Sequence, residues 1–245
     1  MVSEGIMDWM ESLLQSGEVH HLGFSFHGTY TELEEIITTR KWDLCQIQLN
    51  YMDIDEQSGI KGYELTEKMN VPLIIMEPVK GGALANPPEP VREILGKDQS
   101  PSSWALRWAA SLPNVMTVLS GMSSKDQVED NLKTFNEFRP LTEDEQEMIG
   151  KAREAFKGLV RNGCTTCRYC MPCPSGVNIP LNFKLWNEWA MFGKNGLAWK
   201  QWKNIKPERR MEACLECGQC ESQCPQGVSI IEDLKKAAAE MDQIK

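Results

Sequence analysis

Val71-Pro72-Leu73-Ile74-Ile75-Met76-Glu77-Pro78-Val79-Lys80-Gly81-Gly82 is the stretch on which the fold of this 245-residue chain turns. Its first six residues are nearly all apolar, the composition of a strand in a sheet covered on both faces. Its last six switch to prolines, one charge and paired glycines, which mark a loop. Toward the N-terminus, Leu44 to Leu49 is a second strand and Val19-His20-His21-Leu22-Gly23-Phe24-Ser25 a third. A helix is expected over Met7 to Ser16, with Trp9, Met10, Leu13 and Leu14 on one face. Another begins at the capping-box pattern Thr31-Glu32-Leu33-Glu34 and runs to about Arg40, and a further one lies near Tyr63–Met69.

Toward the C-terminus, Asn86-Pro87-Pro88-Glu89-Pro90 reads as loop, and Ser100-Pro101 opens a helix with proline in its first turn. Val115 to Leu119 is the fourth strand, followed by a helix from Lys125 to about Phe138. Thr142-Glu143-Asp144-Glu145 is another capping box, opening a helix to about Lys157. Strands that alternate with helices pair in parallel through crossovers. In a (β/α)8 barrel, functional groups sit just after strand C-termini. Here those positions are Ser25-Phe26-His27-Gly28, Asn50-Tyr51, Glu77 to Gly82 and Ser120 to Ser124, all polar or glycine-rich.

Hydrophobic residues make up 41% and charged residues 25%, near the average of a globular protein. A net charge of −9 argues against nucleic acid as a partner. No apolar run approaches the ~20 residues of a membrane span. Met1 to Asp8 lacks a basic segment and a long apolar run, so no secretory signal is read there. A cytoplasmic, reducing setting is therefore expected, in which structural disulfides are rare.

Eight of the nine cysteines lie between Cys164 and Cys224. Cys164, Cys167, Cys170 and Cys173, then Pro174, form the first run; Cys214, Cys217, Cys220 and Cys224, then Pro225, form the second. The second is the full C-x2-C-x2-C-x3-C-P pattern of bacterial-type ferredoxins, and the first is one residue shorter before its last cysteine. Two-residue spacers let a tight loop turn three thiolates onto one cubane. In two-cluster ferredoxins the fourth cysteine of each run ligates the other cluster. Cluster one would take Cys164, Cys167, Cys170 and Cys224, and cluster two Cys214, Cys217, Cys220 and Cys173. Zinc, which favours separate C-x2-C pairs, is the alternative on spacing. Cys45, alone in mid-strand, reads as a small buried residue.

Between the runs, Ile179 to Phe192 is apolar at helical spacing. A helix is expected near Pro207 and an amphipathic one from Ile230 to the C-terminus. Helices so placed resemble the α-helical ferredoxins. Trp186, Trp189, Phe192, Trp199 and Trp202 are either packing for a small core or a docking face.

Upstream of the cysteines, from about Met7 to Phe156, the sequence resembles the aldo-keto reductases, in the branch with a C-terminal iron–sulfur domain. Leu22-Gly23-Phe24-Ser25 is similar to the family's fifth strand, whose Ser25 position touches the cofactor amide. Gln46 resembles the family glutamine at the nicotinamide amide. Met76-Glu77-Pro78 stands where many relatives carry an aromatic residue that stacks on the nicotinamide. Leu119 to Ser124, with Gln127 and Asn131, is similar to the eighth strand and the helix holding the adenosine 2′-phosphate and adenine. The helix N-terminus at Ser123–Lys125, after Gly121, offers free N–H groups to a phosphate. Gly81 and Gly82 let backbone approach a pyrophosphate, with Lys80 as a point charge, or else form an ordinary loop.

The resemblance implies an α/β fold: the C-terminal half of a TIM (β/α)8 barrel over 1–158, then a small, mostly helical, ferredoxin-like domain with two [4Fe–4S] clusters over 159–245. The family's catalytic Tyr, Lys, His and Asp lie on its first four strands, which have no counterpart here. No catalytic residue is therefore assigned. His20 and His21 read as structural, and His27 as either a substrate or cofactor contact or a loop stabiliser. Four strands cannot close an eight-stranded barrel and would leave two open edges. An N-terminally truncated protein is expected, or else a half-barrel completed by a second chain. The function implied is an NAD(P)-linked oxidoreductase, NADP(H) being the candidate nicotinamide, whose clusters pass electrons between the nicotinamide or substrate site and a redox partner protein or small carrier. A non-catalytic electron-transfer subunit and an inactive truncated product are the alternatives.

Overall fold

The structure is a computed structural model that describes residues 4–242. Met1–Ser3 and the last three residues of the expected C-terminal helix lie outside the described residues. Two compact units divide the chain: residues 4–81 with 95–150, and residues 82–94 with 151–242.

The first unit opens with helix α1 (Glu4–Ser16). Then strands and helices alternate: β1 (Gly23–Phe26), α2 (Tyr30–Ile37), β2 (Leu44–Gln48), α3 (Gly59–Lys68) and β3 (Leu73–Met76). A 3-10 turn (Lys80–Ala85) leads to α4 (Glu89–Leu95), nearly all of which belongs to the second unit, and the first unit resumes with α5 (Pro101–Ala110), β4 (Val115–Val118), α6 (Lys125–Asn136) and the first half of α7 (Glu143–Lys157). The sheet is parallel and ordered β1-β2-β3-β4. Each crossover steps the same way, and right-handed crossovers that never reverse put every helix on one face. This is part of a TIM-type barrel wall, not a doubly wound sheet, whose order reverses at a switch point.

The register shows the consequence. Phe24, Cys45 and Leu73 share one face with Phe26, Ile47 and Ile75. On that face Cys45, Ile47, Leu73 and Ile75 are fully buried among Leu33, Ile37, Trp42 and Ala109. Ser25, Gln46, Ile74 and Thr117 align on the opposite face, and none of them is buried. The apolar run at Val71–Met76 is thus covered on one side only, contrary to the composition-based expectation.

Local chemistry sets the helix starts. Thr29, not Thr31, caps α2: its hydroxyl accepts from the Glu32 N–H, and Glu32 reaches back to the Thr29 N–H at 2.8 Å. The expected box therefore lies two residues earlier. Ser100 caps α5 ahead of Pro101, and Ser124 caps α6. At α7, Thr142 and Glu145 form the expected reciprocal box. Arg107, almost wholly buried, grips Glu145 through two hydrogen bonds of 3.1 and 2.8 Å and lies over the Trp104 ring. That pairing holds the Glu145 carboxyl below its ordinary value. The loop expected over 86–90 ends early, because Pro90 fits the first turn of α4 without a missing donor.

The second unit carries α8 (Ile179–Phe192), α9 (Ala198–Asn204), α10 (Gln219–Ser222) and α11 (Ile230–Asp242). The helix expected near Pro207 is a single 3-10 turn, Pro207–Arg209. Phe183, Leu185, Trp186, Trp202, Leu234 and Met241 close its core, so Trp186, Phe192 and Trp202 serve packing. Fully buried Asn182 donates to the Asn178 and Arg209 carbonyls and accepts from the Met211 N–H. These bonds fix the segment that leads into the second cysteine run.

Candidate functional site

The two cysteine loops repeat one backbone pattern. In Cys164-Thr165-Thr166-Cys167-Arg168, Thr166 (φ 56) and Arg168 (φ 70) are left-handed. In Cys214-Leu215-Glu216-Cys217-Gly218, Glu216 (φ 56) and Gly218 (φ 75) are left-handed at the same two places. Three of these four are not glycine, so each loop holds backbone that L-residues disfavour. Left-handed residues set among right-handed ones turn successive N–H groups toward one point, the concavity that cradles iron–sulfur clusters and other anions. The residue types fit such a group: each loop carries thiols at its turns, and the Glu216 N–H donates to Cys214 Sγ at 3.5 Å.

Two cavities gather the thiols. The larger, about 260 Å³, is lined by five cysteines, Cys170, Cys173, Cys214, Cys217 and Cys220. The narrower, about 20 Å³, is lined by Cys164, Cys167, Cys170 and Cys224. Each cavity therefore meets the last cysteine of the opposite run. Six of the eight thiols pack against the core, while Cys167 and Cys217 are exposed. Among the described residues no three His, Cys, Asp or Glu groups converge on a single metal ion. A cubane asks for a wider ring, because irons and sulfides lie between the thiolates.

Burial pushes Cys164 and Cys170 above their ordinary values, and Cys220 to about 11. Burial acts on Cys173 too, but the Ser175 hydroxyl at 3.3 Å and the N–H groups of Ser175, Val177 and Gly176 outweigh it, leaving that thiol lowered. Cys45 is buried and pushed up to about 12. It is an inert packing residue rather than a nucleophile.

On the open face of the sheet, Gln46 Nε2 donates to Ser25 Oγ at 3.2 Å, and Ser25 Oγ donates to Met76 Sδ at 3.8 Å. These three come together from three strands. Glu77 is exposed, and its carbonyl accepts from Asn50 Nδ2. Lys80 is tied to Asp53, which also accepts from Gln48 and Asn50. Gly81 is exposed with φ 61, and Gly121, on the loop after β4, is exposed. Ser123 N–H donates to Gln127 Oε1, Ser124 caps α6, and Asn131 Nδ2 donates to Ser120 Oγ. His27 meets Gln57 Oε1 at 3.2 Å, His21 lies 3.5 Å from Asp43, and His20 is exposed.

Thr166, Arg168 and Glu216 as loop formers, Ser175 on Cys173, and Asp53 on Lys80 escaped the sequence reading. Only Cys-Pro-Ser offered a signal for any of them, by putting a hydroxyl two residues past a ligand-type cysteine.

A strand–helix wall with its polar groups at one rim, joined to two cysteine-lined cavities, defines the class of a redox protein. Residues 2–154 match the Aldo/keto reductase family, more than half of the chain, and the chain belongs to that family. Residues 163–229 match the 4Fe-4S dicluster domain. Aldo-keto reductase AKR11C1 from Bacillus halodurans in its holo form is 25% identical, with a TM-score of 0.50, over 58% of this chain and 53% of that one. Its apo form gives the same identity and score over 58% and 54%. An aldo-keto reductase from Klebsiella pneumoniae in complex with NADPH is 15% identical, with a TM-score of 0.47, over 59% and 52%. The chain thus spans about half the length of these relatives. No curated protein is similar enough to count as a match. The two family matches support an iron–sulfur oxidoreductase-like function. No helix among the described residues is long and apolar enough to cross a membrane.

Proposed function

We propose that the protein is an aldo-keto reductase-type oxidoreductase in which two [4Fe–4S] clusters link a nicotinamide or substrate site to an external one-electron carrier. Residues 1–158 would form the reductase part and 159–245 the ferredoxin-type part. One cluster would be held by Cys164, Cys167, Cys170 and Cys224, the other by Cys214, Cys217, Cys220 and Cys173. When bound, the clusters supply one-electron steps, and a nicotinamide supplies a hydride, a two-electron step. The observation that carries this reading is the pair of cavities, each meeting three cysteines of one run and the last cysteine of the other, with Cys170 on both walls.

The chain's own residues have definable tasks. The left-handed loops and the donors on Cys173 hold sulfurs that bear negative charge. Gln46 keeps its carbonyl and a second N–H beyond the bond to Ser25, the complement of a carboxamide. Met76 presents an apolar surface beside them. Ser123, Ser124, Gln127 and Asn131 would receive the phosphate and adenine end of NADP(H), with Gly121 leaving room for it. Glu77 and Gly81 line the loop after β3. A pyrophosphate at Lys80 would compete with Asp53 for the ammonium. A cytoplasmic setting suits thiolate ligands kept reduced.

Anaerobic reconstitution tests the proposal: about eight irons per chain are expected. Stopped-flow mixing of the loaded protein with NADPH should bleach the cluster absorbance. Far fewer irons would overturn the cluster assignment, and full loading without bleaching would overturn the nicotinamide link.

A further inference from the structure

The two loops share one backbone but not one surface. Where the first loop carries Thr165 after its first cysteine, the second carries Leu215. Leu215 is 77% exposed and Tyr169 70% exposed, and both border the larger cavity, beside Cys217, which is itself exposed. Scattered surface apolar residues need no explanation, but two at the mouth of one thiol cavity form a patch. The second loop is acidic in sequence, and Arg168, beside Tyr169, is the nearest cation along the chain. From Met211 to Gln223 the chain holds Glu212, Glu216 and Glu221 and no lysine or arginine. Lys235 meets Glu216 at 2.7 Å and offsets part of that charge. Arg168 is the cation of the first loop, and the narrower cavity that it lines has neither Tyr169 nor Leu215 on its wall.

We propose that the Tyr169–Leu215 patch is the electron-exchange face, and that it docks a one-electron carrier protein with an apolar centre and a basic rim. This inference rests on the iron–sulfur reading above and names the partner's chemistry. Small apolar contacts ringed by complementary charge suit transient redox encounters, in which speed of arrival counts for more than area. The overall charge of −9 draws a basic carrier from a distance. In the step itself, one electron leaves the reduced cluster nearest Cys217 and reduces the carrier's ferric iron to ferrous. No atom or proton moves.

The test uses the full chain, iron-loaded and reduced with dithionite, and ferric cytochrome c as the basic carrier. Calorimetric binding and stopped-flow haem reduction are both followed against salt. Wild type should bind and transfer fast at low salt, and an acidic flavodoxin should bind far more weakly. Tyr169→Ser/Leu215→Ser should slow transfer and weaken binding by about tenfold with iron content unchanged. Glu212→Gln/Glu216→Gln should weaken binding and flatten its salt dependence. Leu215→Thr, which copies the first loop, keeps the test open if the double variant loses iron, and it should show the same direction of change. Unchanged binding and transfer in these variants, or equal affinity for the flavodoxin, would overturn the proposal. A wild-type chain that takes up no iron would instead overturn the cluster assignment itself.

Discussion

The first unit leaves one face of its sheet to solvent, whereas the second closes its helices around the cysteine loops. Ser25, Gln46, Ile74 and Thr117 align on the uncovered face of the sheet, and the outer strands β1 and β4 each lack a neighbour on one side among the described residues. Further apolar groups of this unit, Met116 and Leu119 at β4 and Val128, Leu132 and Phe135 on α6, are also exposed. In the second unit Trp186, Trp202, Leu234 and Met241 are covered, and six thiols belong to the same packed set. The difference lies in how each builds an interior. A sheet wound in one direction receives helices on one side and must find its other cover elsewhere. A short helical segment has too little apolar surface to stand alone and draws on its cysteine loops for support.

The largest effect expected from that contrast follows metal removal. Stripping iron from the loaded protein with a chelator should cost the second unit much of its helical circular dichroism. The melting of the first unit should stay in place, and a common collapse of both would break the contrast. Next comes Arg107→Ala, which leaves Glu145 without its buried partner and should destabilise the first unit by about 3–5 kcal/mol in urea unfolding. The same pair predicts a pH dependence. Its folded carboxyl titrates below the ordinary value, so its stabilisation is present above pH 4.5 and fades as pH falls through the lowered value. Acid unfolding of the Glu145→Gln variant should lack that contribution.

Smaller effects sharpen the comparison between the two sides of the sheet. Ile75→Ala, on the covered face, should cost about 2–5 kcal/mol, and Ile74→Ala, its neighbour on the bare face, about 1 kcal/mol or less. Equal costs would mean that both sides are packed. Thr29→Ala should remove about 1 kcal/mol through the lost cap of α2, and Thr31→Ala much less, measured in the same unfolding experiment.

Periodicity and turn chemistry made the alternation of strands and helices legible, and α8 was readable to its ends because Pro180 and the apolar spacing agree. The box at Thr142 was equally plain, whereas at Thr29 and Thr31 two threonines competed and only the fold selects between them. Prolines hid α4, since the same residue type ends one helix and starts another. The cysteine spacing announced the loops, but nothing in Thr166, Arg168 or Glu216 marks a left-handed residue. Ser25, Gln46 and Met76 sit far apart in the chain, and only parallel register sets them side by side. Lys80 looked like a solitary charge because its partner Asp53 lies 27 residues away.

Cys173 reaches into the cavity of the later run, and Cys224 into that of the earlier one. Neither pocket is therefore the product of one stretch of polypeptide. A protease cut anywhere between residues 174 and 213 would divide both at once, so this part of the molecule assembles entire or not at all.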